Sequence, residues 1–425
     1  TVLWALLAQG LLSITRLLTT MTVGGRFGSG SEGQLGYYSS AFSLLMILIA
    51  IFEAFITTPL TVFNQQQSNK RRPIFSGHML ASALLLMGLL GAIACIWISL
   101  QVSYQWLKSP ELVAALIAVC IIGPLQLLRE FARRWLLANL EARPAAFLEF
   151  LFAGFFVAAL LGLVLADQVT AVSVFAAIGV VNVIGLIVWW RYYGKEFVFE
   201  RKSLGQQLNL NFQYGRWVAG ENVCSALTMY FCSWYLMYMI DEDAAGFFFA
   251  CFTVVLLANP FLLGICSILA PRAANAYIES SYQGLARVLF RFGGVIMGVL
   301  LVFAVGLWFG GEWLTNRVFG PRYELYVMEH LNGQNHITSM LGLAMPLMGL
   351  SYISAFGLLA INRPFDNFYA AIAGLIVLIG LCMSFAEPTL DNAAISFVVS
   401  FAVAATCRAG FLGVAFANRT EIPPA

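Results

Sequence analysis

Charge is what this chain lacks most: only 10% of its 425 residues are Asp, Glu, Lys or Arg, where a soluble domain carries about 25%. With 60% hydrophobic residues and a mean hydropathy of +0.84, that scarcity excludes a soluble fold. A basic surplus is missing too, since the net charge is +2, and nucleic acid is not expected as a partner. The eight cysteines (Cys95, Cys120, Cys224, Cys232, Cys251, Cys266, Cys382 and Cys407) contain no Cys-x-x-Cys pair and all fall in apolar runs. They read as small core hydrophobes, not as disulfide partners or metal ligands. Three scattered histidines, His78, His330 and His336, offer no convergent metal site. No cofactor signature is present: Gly25, Gly28 and Gly30 follow no strand and precede no Gly-Lys-Ser/Thr.

What is present is a recurrence of apolar stretches about 20 residues long, each the length needed to cross a ~30 Å hydrocarbon core as a helix. A membrane β-barrel would show segments of about ten residues with alternating polarity. Twelve spans are drawn, at 1–23, 36–63, 75–103, 111–129, 145–165, 170–190, 217–239, 245–268, 290–310, 337–361, 366–385 and 393–416. The first runs through a Gly-rich turn into the second, so it is read as a span and not as a cleaved leader. An even count puts both termini on one side. Eighteen of the 23 Lys and Arg fall on that side and four on the other, with Arg16 inside the first span, and this bias places the termini in the cytoplasm. The acidic turn Asp241-Glu242-Asp243 matches the Asp-x-Asp of metal-dependent glycosyltransferases in form, but no nucleotide-binding domain accompanies it. It is better read as the start of the next helix.

The halves resemble each other. Gly36-Tyr37-Tyr38 with Ala41-Phe42-Ser43 recurs as Gly246-Phe247-Phe248 with Cys251-Phe252-Thr253 at an offset of 210. Pro124-Leu125, Leu136-Leu137-Ala138 and Arg143-Pro144 recur as Pro346-Leu347, Leu358-Leu359-Ala360 and Arg363-Pro364. The expected organisation is an N-terminal six-helix lobe over 1–190, a cytoplasmic linker over 191–216 and a C-terminal six-helix lobe over 217–425. Both halves begin on the same side, so the lobes are expected as a parallel repeat about an axis along the membrane normal, with a central cavity. Pro124, Pro260 and Pro346 are expected to kink their spans.

Five features carry a family resemblance: the turn Gly24-Gly25-Arg26-Phe27-Gly28 leading to Leu35-Gly36-Tyr37-Tyr38, the basic stretch Arg129-Glu130-Phe131-Ala132-Arg133-Arg134, Tyr214-Gly215-Arg216-Trp217, the turn before Ala245-Gly246-Phe247, and Pro271-Arg272-Ala273. Together they resemble the multidrug, oligosaccharidyl-lipid and polysaccharide exporter superfamily over essentially the whole chain, and within it the polysaccharide branch that includes O-antigen flippases. The resemblance implies an inner-membrane flippase that moves polyprenyl-diphosphate-linked oligosaccharide by alternating access. Its partners would be the lipid-linked sugar, membrane lipids and polysaccharide assembly proteins. The multidrug and toxin extrusion branch shares the fold and exports organic cations. The lipid II flippase branch carries fourteen spans, against twelve here.

Ionisable residues at membrane depth are costly and become functional candidates on that ground alone. Arg16 sits roughly 12 Å in from the outer end of its helix, too deep to snorkel easily, and a guanidinium can hold phosphate oxygens bidentately. With Arg26, Arg133 and Arg216 it forms the candidate substrate-binding set. Glu53, in the second span, suits proton coupling, since a carboxylate in an apolar surround exchanges its proton nearer neutral pH. Glu149 and Glu221 lie near helix ends and suit gating, or pairing with Arg143 or Arg216.

The leading expectation is the flippase. The rival within the superfamily is a cation-coupled multidrug exporter, which would favour a carboxylate-lined cavity without a central arginine. The rival from another class is a membrane polysaccharide polymerase or ligase. Such an enzyme needs a large outer loop with catalytic residues, and the longest stretch here covers only 311–336. No catalytic residue is assigned.

Overall fold

The apolar stretches become helices throughout the computed structural model, which describes the chain except for residues 1, 27–32, 65–66, 69, 105–108, 201–203, 321–322, 324–325, 327, 329–335 and 419–425, and without the side chains of 2–9, 214 and 267. Phe27, Gly28, Gly30 and His330, singled out above, lie outside the described residues. Among the described residues, helix lies over each of the twelve expected spans, and nine helical stretches are long and apolar enough to cross a membrane, one of them being the folded-back run Glu242–Phe319. In the first half the helices are α1 Val2–Val23, α2 Gln34–Asn64, α3 Arg72–Ser103, α4 Pro110–Ala138, α5 Ala142–Leu165 and α6 Ala171–Tyr193. In the second they are α7 Leu204–Met239, α8 over 242–279, α9 over 282–319, α10 Ile337–Ala360, α11 Pro364–Ser384 and α12 Leu390–Asn418. No strand occurs among the described residues. The chain is an all-α polytopic membrane protein, because only helices satisfy their own backbone in lipid.

Regular helix is interrupted at several places, among them a 3-10 turn at Leu256–Ala258 and a break at Leu343. Glu53–Thr57 form a π-helical turn within α2. Between α8 and α9, Ser280 and Ser281 leave the helical region, Ser281 at φ 52°, and the chain turns from one span into the next within the polar stretch that separates them. The Asp241 side chain accepts from the Ala244 backbone N–H at 2.7 Å, capping α8 as the acidic turn suggested.

Contacts divide the chain into two compact units, Thr1–Val223 and Cys224–Ala425, and the boundary falls inside α7. The segment 191–216 is therefore not a loop throughout: from Leu204 onward it is helix. Its Gln and Asn residues look like linker composition, but Gln207 and Asn211, one turn apart, hydrogen-bond at 2.9 Å, and both amides point to Met79 Sδ. Gly215 lies against Ala54 and Phe55 of the π turn, and Phe55 stacks on Phe212 at 5.9 Å. Upstream, Val198 donates to the Pro73 carbonyl at 3.0 Å and His78 Nε2 lies 2.6 Å from the Glu200 carbonyl oxygen. Gly77 is required at this crossing, since a Cβ there would overlap the Val198 carbonyl.

The repeat is visible inside each unit. In the first, α4 packs on α2, α3 and α6, and α5 on α6. In the second, α10 packs on α8, α9 and α12, and α11 on α12. The turn after α4 is reproduced after α10: Leu140 at φ 63° and Asn362 at φ 57° occupy the left-handed region 222 residues apart. Around them Glu141 N–H donates to Leu136 O and Arg363 N–H to Leu358 O, both at 2.9 Å. Thr170 at the start of α6 and Thr389 at the start of α12 also cap alike, through Ser173 N and Asn392 N at 3.1 and 3.2 Å.

Candidate functional site

Helix α4 carries four charges within two turns. Arg129 and Arg133 are four apart, as are Glu130 and Arg134, so each pair shares a face. The sequence reading ended the span at Arg129 and treated the charges as loop residues, but the helix runs on to Ala138, because Phe131, Ala132, Trp135 and Leu136 bury its other side. Charge thus enters the packed body of the first unit. Two carboxylates from other helices meet it: Glu149 from α5 and Glu53 from the π turn of α2.

The six groups form one network. Arg129 pairs with Glu149, and Arg133 Nε lies 3.8 Å from the same carboxylate. Arg133 also forks onto Glu130, its Nε donating at 3.0 Å. Glu130 accepts in addition from Arg134 Nε at 2.9 Å, and Arg134 Nη2 reaches Glu53 at 2.7 Å. Three arginines balance three glutamates. That balance is needed, since an unpaired buried ion would cost several kcal/mol. The Arg129 guanidinium also lies 3.4 Å from the centre of the Phe152 ring, a cation–π contact.

The network has a dry end and a wet end. Arg129 and Glu149 side chains are 7% and 1% exposed, whereas Arg134 and Glu53 are 37% and 31% exposed. The dry pair joins α4 to α5. At the wet end, a carboxylate on a π turn is held by an arginine that solvent reaches, and π turns recur at functional sites. This is the pair that can open at low cost, because accessible ion pairs contribute about 1 kcal/mol or less.

The expected site residues do not converge on one place. Glu53, Glu149 and Arg133 join the network, and Arg133 has its fork committed to carboxylates. Glu149 pairs with Arg129 and not with Arg143 or Arg216, because α4 and α5 run side by side and bring 129 opposite 149. Arg16 stands apart on α1, half-buried, with Nη2 3.9 Å from Met46 Sδ and its guanidinium 5.0 Å from the Phe42 ring centre. Among the described residues no carboxylate pairs with it. Arg26 is exposed just beyond α1, Arg216 is exposed over the Trp217 ring at 5.5 Å, and Glu221 is half-buried on α7. Sequence reasoning missed Glu130, Arg129 and Arg134 as network members, although their spacing of three and four within an apolar helix was the available signal.

The second unit does not repeat the network. At the offset of 222, Ser351 stands where Arg129 stands, Ala355 where Arg133 stands and Ala371 where Glu149 stands. The buried cation there is Arg408 of α12, which donates to the Ser351 hydroxyl. Among the described residues the network of three arginines and three glutamates is therefore found in the first half.

No family model and no curated protein sequence matches the chain. Solved structures do match. An inward-facing multidrug resistance MATE family transporter of the MOP superfamily aligns with a TM-score of 0.78 at 12% identity, covering 98% of this chain and 96% of that one. An outward-facing conformation of a transporter of that family aligns at 0.71 and 13%, covering 98% and 94%. A MOP superfamily transporter from Pyrococcus furiosus, described as having a binding pocket of reverse polarity that suggests a different function, aligns at 0.72 and 12% with the same coverage. The chain has the fold of these transporters over nearly its whole length.

Proposed function

We propose that this chain is an alternating-access transporter of the MOP superfamily that exports amphipathic organic cations across a bacterial inner membrane, with termini in the cytoplasm. The observation that carries the reading is the near-full-length likeness to the MATE fold in both inward- and outward-facing forms. The charge bias supports the orientation. In this reading Glu53 is the coupling carboxylate: a proton or a cationic solute displaces Arg134 from it, and Arg134 retains Glu130 as a partner. The test is expression in a bacterial strain stripped of efflux pumps, measuring resistance to a cationic dye and dye efflux driven by an imposed proton or sodium gradient. Export of the dye that the Glu53→Gln variant abolishes is the expected result. No gradient-driven efflux of any of several cations would overturn the reading.

Arg16 favours a second reading, the flipping of a polyprenyl-diphosphate-linked oligosaccharide. A guanidinium half-exposed at membrane depth, with no carboxylate partner among the described residues, suits an anionic headgroup better than a cation. The likeness to a MOP transporter whose pocket is described as reversed in polarity agrees with that possibility within one fold. Complementation of surface-polysaccharide assembly by the wild-type chain but not by Arg16→Ala, at equal membrane abundance, is the outcome this reading requires.

A further inference from the structure

In the first unit, the end of α4, the start of α5 and the end of α6 line an open cavity of about 390 Å³ that belongs to neither the charge network nor Arg16. That volume lies within the range of small-molecule sites, about 300–1,000 Å³. Its lining is graded along the helices. Arg143, Phe147 and Leu151 are successive turns of one face of α5, and Tyr192 and Val188 are successive turns of α6. The cavity is thus cationic and phenolic at one end and apolar for roughly 12 Å beyond it. Trp189 and Leu148 are buried at its floor, while Phe147 and Tyr192 are exposed at its rim.

Arg143 is exposed, and among the described residues no carboxylate pairs with it. In the other half, Arg363 at the start of α11 lies 3.6 Å from Asp366, three residues on, whereas the residue three after Arg143 is Ala146. The nearby Glu141 lies beside the Tyr193 hydroxyl, and no ion pair joins it to Arg143 among the described residues. Arg191 and Lys195 add exposed positive charge at the same end of α6. A basic, aromatic rim over an apolar trough is the pattern with which helices hold anionic lipid at the membrane boundary.

We propose that this cavity is a binding site for an anionic phospholipid, with Arg143 and Tyr192 at the phosphate and one acyl chain laid along Phe147, Leu151 and Val188. In the orientation proposed above, this end faces the cytoplasmic leaflet, whose lipids carry negative charge. The proposal does not depend on what the protein transports. It is tested by binding alone: the full chain in mild detergent is titrated with phosphatidylglycerol and with phosphatidylcholine of the same acyl chains, and bound lipid is counted by native mass spectrometry. The expected result is retention of phosphatidylglycerol over phosphatidylcholine, with a preference that falls about fivefold in Arg143→Gln, one basic residue's share of attraction to an anionic surface. The neighbouring Arg191→Gln, which does not line the cavity, should keep the preference. Equal retention of the two lipids, an unchanged preference in Arg143→Gln, or an equal loss in Arg191→Gln would overturn the site. So would full competition by glycerol phosphate, which would show that no acyl chain is held.

Discussion

At the residue scale, the buried pair of Arg129 and Glu149 and the open pair of Glu53 and Arg134 should respond oppositely to mutation. Removing one partner of the dry pair leaves an unmatched charge in the packed helices, so Arg129→Ala or Glu149→Ala should destabilise the protein by about 3–5 kcal/mol. The double variant Arg129→Met with Glu149→Leu should recover most of that loss, because apolar groups of similar volume need no partner. Thermal unfolding in detergent separates these cases, and a double variant no better than either single one would show that the pair matters for something other than charge balance. Glu53→Gln should leave stability within about 1 kcal/mol of wild type, since its pair is reached by solvent. Its effect should appear instead as loss of gradient-driven export, and a variant with intact coupling would remove Glu53 from the mechanism.

At the scale of elements, the matched turns make a controlled comparison. Leucine is poorly suited to the left-handed conformation that Leu140 adopts, at a cost of about 1–2 kcal/mol, while asparagine at the equivalent Asn362 tolerates it. Leu140→Gly should therefore stabilise the first unit by up to about 1 kcal/mol after the entropy of glycine is counted, and Asn362→Gly should do less. Thermal midpoints rising in that order support the assignment; a fall in Leu140→Gly would mean that the side chain, although exposed, is needed where it stands. The π turn offers a second test. A Cβ at position 215 would come within 2.7 Å of Phe55 Cδ1 and 2.8 Å of the Ala54 carbonyl, so Gly215→Val should lift α7 from the turn that presents Glu53, costing about 1–3 kcal/mol. Reduced export coupled to reduced stability is the expected pairing.

For the whole molecule, the charge bias predicts an orientation open to direct measurement. In a cysteine-free background, single cysteines at 70 and 195 should be shielded from impermeant reagents in intact cells, while cysteines at 242 and 312 should react. Labelling at 70 from outside would reverse the proposed topology. The same scale shows how a duplicated chain became asymmetric. Helix order, packing partners and the left-handed turn recur in both halves, but among the described residues the ionic network lies in the first. Function is thus expected to be unequal between two similar scaffolds, with coupling in the first half.

The sequence by itself determined the class, the twelve helices and the repeat, because in a membrane the pattern of apolar length and charge is itself the dominant energetic term and is local in the chain. It also marked Arg16, Glu53 and Glu149 as costly charges. What only the tertiary structure decided is where charge is neutralised. The extension of α4 beyond Arg129, the seating of Glu149 opposite it, the π turn that carries Glu53 and the helical start of α7 all depend on contacts between residues far apart in the chain. A charged stretch next to a span has two low-energy fates, exposure in a loop or burial with partners, and hydropathy does not distinguish them. The outcome rests on whether another helix delivers the opposite charge within about 4 Å, which is a property of packing.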